Sequence, residues 1–402
     1  MLAHPLSRLA VLSLVLLSLV IAAGTRPQSA AINSPADDLI VHEWGTFTSV
    51  SGVDAQPLVW RPLNVESDLP SFVYSIDKGN SWRGLRYPSK SGLPVRVRME
   101  TPVIYFYAQQ EMNVAVKVGF PNGWITEWYP QARTAGWGAI DWGQFKILPG
   151  ASLDFPHDRT ENHYYPARET DAAPVQLRTD QQTEQEKFLF YRGVGNFVLP
   201  LSFKLRGDKI VIANTGAQEI GKVVIFENRG GKTGYLLRDA PQGELEIERP
   251  TLDNKIDGLR TAIKAMLISR GLYQKEADAM LNTWRDSWFE EGLRVFYLMP
   301  RRTTDTILPL TIDPQPSQLV RLLVGRTELI TPEMERHVIE QAAKLDDPSQ
   351  GVREAALKEI KRYGRFTEPV LKQTLEHATD QKLRLRVERL LDEMEQEATR
   401  RS

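Results

Sequence analysis

Between Arg96 and Pro130 the chain carries two dense runs of sheet-forming residues, and they constrain its fold more than any other stretch. In the first, Val97, Met99, Val103, Tyr105 and Tyr107 sit on odd positions; after a polar break at Gln109-Gln110-Glu111, Val114-Ala115-Val116-Lys117-Val118 resumes the pattern. Side chains alternate faces along a strand, so runs of this period read as strands. Two of them joined by a short polar link predict a β-hairpin at the centre of the core.

The neighbouring stretches extend a β-rich body. Leu39 to Val50 reads as a first strand, with Thr46, Phe47 and Thr48 as good sheet formers. Asp54 to Pro70 is irregular, Lys78 to Pro94 reads as a surface loop, and Gly136, Gly138 and Gly143 punctuate Trp137 to Leu153. From Lys187 to about Leu245 strand-like runs follow one another, with a turn at Asn228-Arg229-Gly230-Gly231. The fold class expected is α+β, with an antiparallel β-sandwich-like body over residues 32–250, as one sandwich or as two β units at 39–155 and 187–250.

At Pro250 the periodicity changes. Leu252, Ile256, Leu259, Ile263 and Met266 predict a helix stopped by Gly271, and Lys275 to Glu291 predicts a second, carrying Ala277, Met280, Leu281, Trp284 and Trp288 as a core stripe. The strands RVFYLM and TILPLTI complete an α/β extension over 251–330 packed on the body. Beyond it, Thr331-Pro332 opens a helical end over 331–402. There the segment DDPSQGVREAALKEIKRYGRFTEPVLKQTL followed by DQKLRLRVERLLDEM resembles a HEAT-type helical repeat over about residues 332–397. The resemblance implies a short helical solenoid, a class that binds other proteins on its concave face. The β-rich remainder resembles exported bacterial proteins without an assigned function.

His4 and Arg8 precede a fifteen-residue apolar run from Leu9 to Ala23, followed by small residues. This pattern predicts a secretory signal peptide over 1–31, since a spanning helix needs roughly 20 apolar residues. The protein is therefore expected to be periplasmic or extracellular, with no stable membrane span after cleavage. There are no cysteines, which excludes disulfides, thiolate catalysis and Cys-ligated zinc. The net charge of −1 gives no field to attract nucleic acid.

No complete catalytic motif is present. Gly216 to Val223 mimics a phosphate loop, but Val223 stands where Ser or Thr would hold Mg²⁺, and the segment reads as a hairpin turn. Two sets of residues carry the remaining chemistry. His42, Glu43, His163, Glu169 and Asp171 would form a divalent metal site if the fold gathered them; otherwise they are a strand-edge histidine and a loop of locally paired charges. Trp124, Trp128 and Trp137, with Arg168, would grip a ligand if the indoles were exposed; otherwise they are core. The leading expectation is a non-enzymatic exported binding or scaffold protein that engages protein or glycan partners. The alternative is a metal-dependent hydrolase centred near His42 and His163.

Overall fold

The computed structural model describes residues 36–64, 68–77, 90–159, 162–179, 182–216, 218–253 and 256–400. The expected signal peptide, and residues 78–89 of the expected surface loop, lie outside them. The strands are β1 (Ala36–Ser51), β2 (Tyr74–Ser75), β3 (Val97–Tyr107), β4 (Met112–Tyr129), β5 (Thr134–Ala135), β6 (Trp137–Ile147), β7 (Val175–Arg178), β8 (Thr183–Glu186) and β9 (Leu189–Gly195). They continue as β10 (Leu201–Arg206), β11 (Lys209–Asn214), β12 (Lys222–Arg229), β13 (Lys232–Asp239), β14 (Glu244–Glu248), β15 (Gly292–Leu298), β16 (Leu310–Asp313) and β17 (Pro316–Leu329). The helices are α1 (Ile256–Ser269), α2 (Gln274–Thr283), α3 (Arg301–Ile307), α4 (Pro332–Ala342), α5 (Gln350–Ile360), α6 (Thr367–His377) and α7 (Gln381–Arg400). Among the described residues, no helix is long and apolar enough to cross a membrane.

One 14-stranded sheet dominates this α+β fold. Its order is β13-β12-β15-β17-β1-β3-β9-β4-β6-β7-β8, with β16 and β2 against β4 and β5 against β6. A separate sheet, β10-β11-β14, lies on one face of it. Phe203, Ile210 and Ile212 of the small sheet share a core with Leu39, Val41 and Phe47 of β1. The alternate residues of β1 face the helices: Trp44 packs with α1 and α2, and Val50 packs with the C-terminal helices. Thr331 caps α4 by accepting the Met334 N–H at 3.3 Å. Trp60 and Ile330 anchor α4–α7 to the body, each such buried apolar side chain contributing about 1.5–3 kcal/mol.

Several expectations are corrected by long-range pairing. The two runs around Gln109-Gln110 are strands β3 and β4, but not a hairpin, because β9 lies between them. All seven residues of β9 are buried, and Gly193 faces both Met99 of β3 and Ile125 of β4. Within residues 36–250 the strand pairs described are antiparallel, and the parallel pair joins β1 to β17 of the extension, from Ile40↔Gln318 to Ser51↔Leu329. Helix α2 ends at Thr283 rather than at Glu291, because Arg294 draws the carbonyls of Trp288, Glu290 and Glu291 onto its guanidinium and holds that stretch as a turn. TILPLTI divides between the end of α3 and β16. β11 and β12, the strands on either side of the phosphate-loop mimic, lie in different sheets, so they do not form a hairpin.

The sheet interior also carries charge. Glu127 on β4 accepts hydrogen bonds from Arg192 Nε at 3.0 Å and Lys90 Nζ at 2.7 Å. Burial alone would raise the Glu127 carboxyl, but Arg192 and Lys90 outweigh it and hold its pKa at about 2. A carboxyl depressed in the folded state adds stability above its unfolded pKa, and that stability is lost as pH falls through the folded value. Urea unfolding should therefore show stability falling between about pH 5 and pH 2, and Glu127→Gln should remove about 3 kcal/mol of that fall. An acid limb of unchanged depth in the variant would assign the loss to other groups.

Candidate functional site

A groove of about 630 Å³ opens beside the β4 end of the sheet. Its walls come from the turn before β2, the segment after β6 and the start of β8: Phe72, Tyr74 and Phe155 supply rings, and Asp154, Gln182 and Glu184 supply polar groups. Tyr74 is held from both sides. Its ring stacks on Trp128 with centroids 6.3 Å apart, and its hydroxyl donates to Glu184 Oε1 at 2.6 Å. Burial first, and then Glu184, push the Tyr74 phenol above its ordinary pKa, so it stays a donor across the physiological range. Glu184 also accepts from Gln182 Nε2 at 2.8 Å and from the Gln131 N–H at 2.6 Å, which fixes one carboxylate against one aromatic wall.

Arg168 lies beneath this wall. Its guanidinium grips Glu186 through Nε at 2.9 Å and Nη2 at 2.7 Å, and Nη2 also donates to the Pro156 carbonyl at 2.8 Å. Four rings surround it, Phe72, Phe155, Tyr164 and Tyr165, at 5.1–5.9 Å from the guanidinium carbon. Arg168 is thus a positioning residue that ties Phe72 and Phe155 together from behind. The indoles divide. Trp128 backs Tyr74, whereas Trp124 and Trp137 pair edge-to-face at 5.1 Å outside the groove, with Trp137 59% exposed. Tyr129 and Trp142 are core.

The histidines and acids considered for a metal take separate partners. His42 and Glu43 are neighbours on β1, so their side chains leave opposite faces of the sheet. Glu43 accepts from Tyr191 Oη and Arg321 Nε, each at 2.5 Å. His42 meets Glu276 of α2 through Nδ1 at 2.8 Å, and the other oxygen of Glu276 accepts from Tyr107 Oη at 2.9 Å. His163 contacts the Thr283 carbonyl through Nδ1 at 2.7 Å and stacks on Trp284. Asp171 pairs with Lys275 at 2.5 Å, and Glu169 lies 3.5 Å from Asn282 Nδ2. Four of the five therefore line α2 in sequence along its length, each with its own contact. Among the described residues, no three such groups gather at one point.

No protein-family model matches this chain, and no curated protein matches it. The geometry therefore carries the functional argument. Reading the sequence missed Phe72, Tyr74, Phe155 and Glu184, because they stand in loops or in strands of two to four residues, too short to show a period, and only the folded chain brings them together. It also missed a buried charge network on the helix side of the sheet. The signal for that was present: Arg98-Met99-Glu100 and Arg326-Thr327-Glu328 place opposite charges two residues apart inside strand-like runs.

Proposed function

We propose that this is an exported, non-enzymatic binding protein whose aromatic groove takes a saccharide. The observation that carries the reading is the pairing of ring walls with fixed carboxylate and amide groups in one open groove. A sugar presents C–H faces that pack on aromatic rings and a rim of hydroxyls that carboxylates and amides bond in pairs, so both halves of the lining are matched. In this reading the small sheet and the large one act as the leaves of a sandwich-like body. Residues 331–402 act as a HEAT-like unit that offers protein partners a second surface.

The test is calorimetry of the purified protein with neutral oligosaccharides built from glucose, N-acetylglucosamine and mannose. At least one should bind, and Phe155→Ala should weaken it about tenfold, the loss of about 1.4 kcal/mol of ring contact. Failure of the whole panel at millimolar concentration, or equal binding by the variant, would remove the groove from consideration.

A further inference from the structure

The lining of the aromatic groove is one-sided in charge. Its carboxylates are Asp154 and Glu184, and no lysine, arginine or histidine lines it. The other titratable groups there, the Tyr74 and Tyr129 phenols, are pushed upward first by burial and stay neutral. Glu184 is buried, and its hydrogen bonds among the described residues come from neutral donors: the Tyr74 hydroxyl, the Gln182 amide and the Gln131 N–H. Its charge is therefore oriented without being cancelled. Asp154 is exposed, and no ion pair or hydrogen bond engages its carboxylate among the described residues.

The segment that carries Asp154 is nevertheless tied down. The Asp158 carboxylate accepts from the Ser71 N–H and from Ser71 Oγ at 2.9 Å, and the Asp158 N–H donates to Tyr165 Oη at 2.7 Å. These bonds join the stretch bearing Asp154 and Phe155 to the turn bearing Phe72 and Tyr74. Behind Phe72 and Phe155, the Arg168 guanidinium is matched by its two bonds to Glu186, so it does not offset the groove's negative charge. The rings act in the same direction as the carboxylates. An aromatic face is the negative part of the ring's charge distribution, so it attracts a cation and repels an anion.

We infer that the groove selects amino sugars, an inference that rests on the saccharide reading and narrows it. The sugar rings pack on Phe72, Tyr74 and Phe155, and a free ammonium group meets Asp154 and Glu184. A uronic acid or sulfated sugar would bring a like charge to two carboxylates with no cation in the lining to receive it.

The test is calorimetry with β-1,4-linked trimers of glucosamine, glucose and glucuronic acid, at low ionic strength and about pH 6, where an amine of pKa about 8 is protonated. Glucose and glucosamine differ only by a hydroxyl or an ammonium group at one carbon of each ring. The glucosamine trimer should bind about tenfold tighter than the glucose trimer, and the glucuronic acid trimer weakest of the three. Asp154→Asn, at an exposed side chain, should cut the glucosamine advantage to about threefold, since Glu184 remains, and added salt should reduce it further. Equal binding of glucose and glucosamine, or an advantage unchanged in Asp154→Asn, overturns this inference and leaves the saccharide reading standing. Failure of all three trimers removes both. A trilysine peptide that binds as tightly as the glucosamine trimer would show that the groove reads charge without the sugar ring, and overturns the inference as well.

Discussion

Replacing Arg294 with Met should cost about 3–5 kcal/mol, the range for breaking a buried ion pair from one side. The side chain is fully buried on β15 and makes four hydrogen bonds. Nε reaches Glu328 at 3.0 Å; Nη1 reaches the Trp288 and Glu290 carbonyls, both at 2.8 Å; Nη2 reaches the Glu291 carbonyl at 2.9 Å. Met fills similar volume but strands those carbonyls and leaves Glu328 to Arg326 alone. Burial lowers the Arg294 pKa below its ordinary value even with Glu328 beside it, so the desolvation already spent is not recovered by the carboxylate that remains. The comparison is Arg301→Ala, whose partner Asp305 lies at 2.8 Å on the surface and whose loss should stay within about 1 kcal/mol. Urea midpoints for the two variants should differ widely. Equal midpoints would mean that the turn after α2 does not depend on Arg294.

Gly193→Ala should be worse tolerated than its single added methyl suggests. An added Cβ would lie 2.0 Å from the Trp124 carbonyl oxygen and 3.0 Å from its carbon, both main-chain atoms of β4. On its other side β9 is held by β3, so neither neighbour can give way without breaking its own pairing. Overpacking of this kind costs about 1–3 kcal/mol where side chains can adjust, and more where main chain must move. Gly207→Ala is the control. Its positive φ of 61° lies in open space, so only the left-handed backbone is strained, at about 1 kcal/mol. Melting temperature and soluble yield should fall sharply for Gly193→Ala and slightly for Gly207→Ala.

Alternation and helical spacing encode faces locally, and here they were legible. The period-two runs mark β3 and β4, the 3–4 spacing marks α1, and Thr331-Pro332 marks the start of α4. Trp284 and Trp288 are buried as expected, although they lie in the turn after α2 and not on its helical stripe. Where local pattern is silent, the reading failed. Nothing within β3 or β4 says that β9, well beyond both in the chain, will separate them, because pairing is decided by which strands can close on one another. The strand β17 carries a mostly apolar run from Leu319 to Val324, but its partner β1 lies far earlier in the chain, so no local pattern announces the pairing. The metal candidates show the same limit, since placing His42 and Glu43 on a strand already sends them to opposite faces, while only the fold shows that α2 receives His42 and His163.

The sequence by itself therefore determined the longer periodic strands and helices, the buried stripe of α1 and the absence of cysteine chemistry, all properties of neighbouring residues or of composition. Tertiary structure alone decided the strand order, the parallel closure of β1 on β17, the aromatic groove and the buried ion pairs between β3, β15 and β17 and the C-terminal helices. Each of those joins residues far apart in the chain, and their contact free energies appear only when the intervening segments have been ordered.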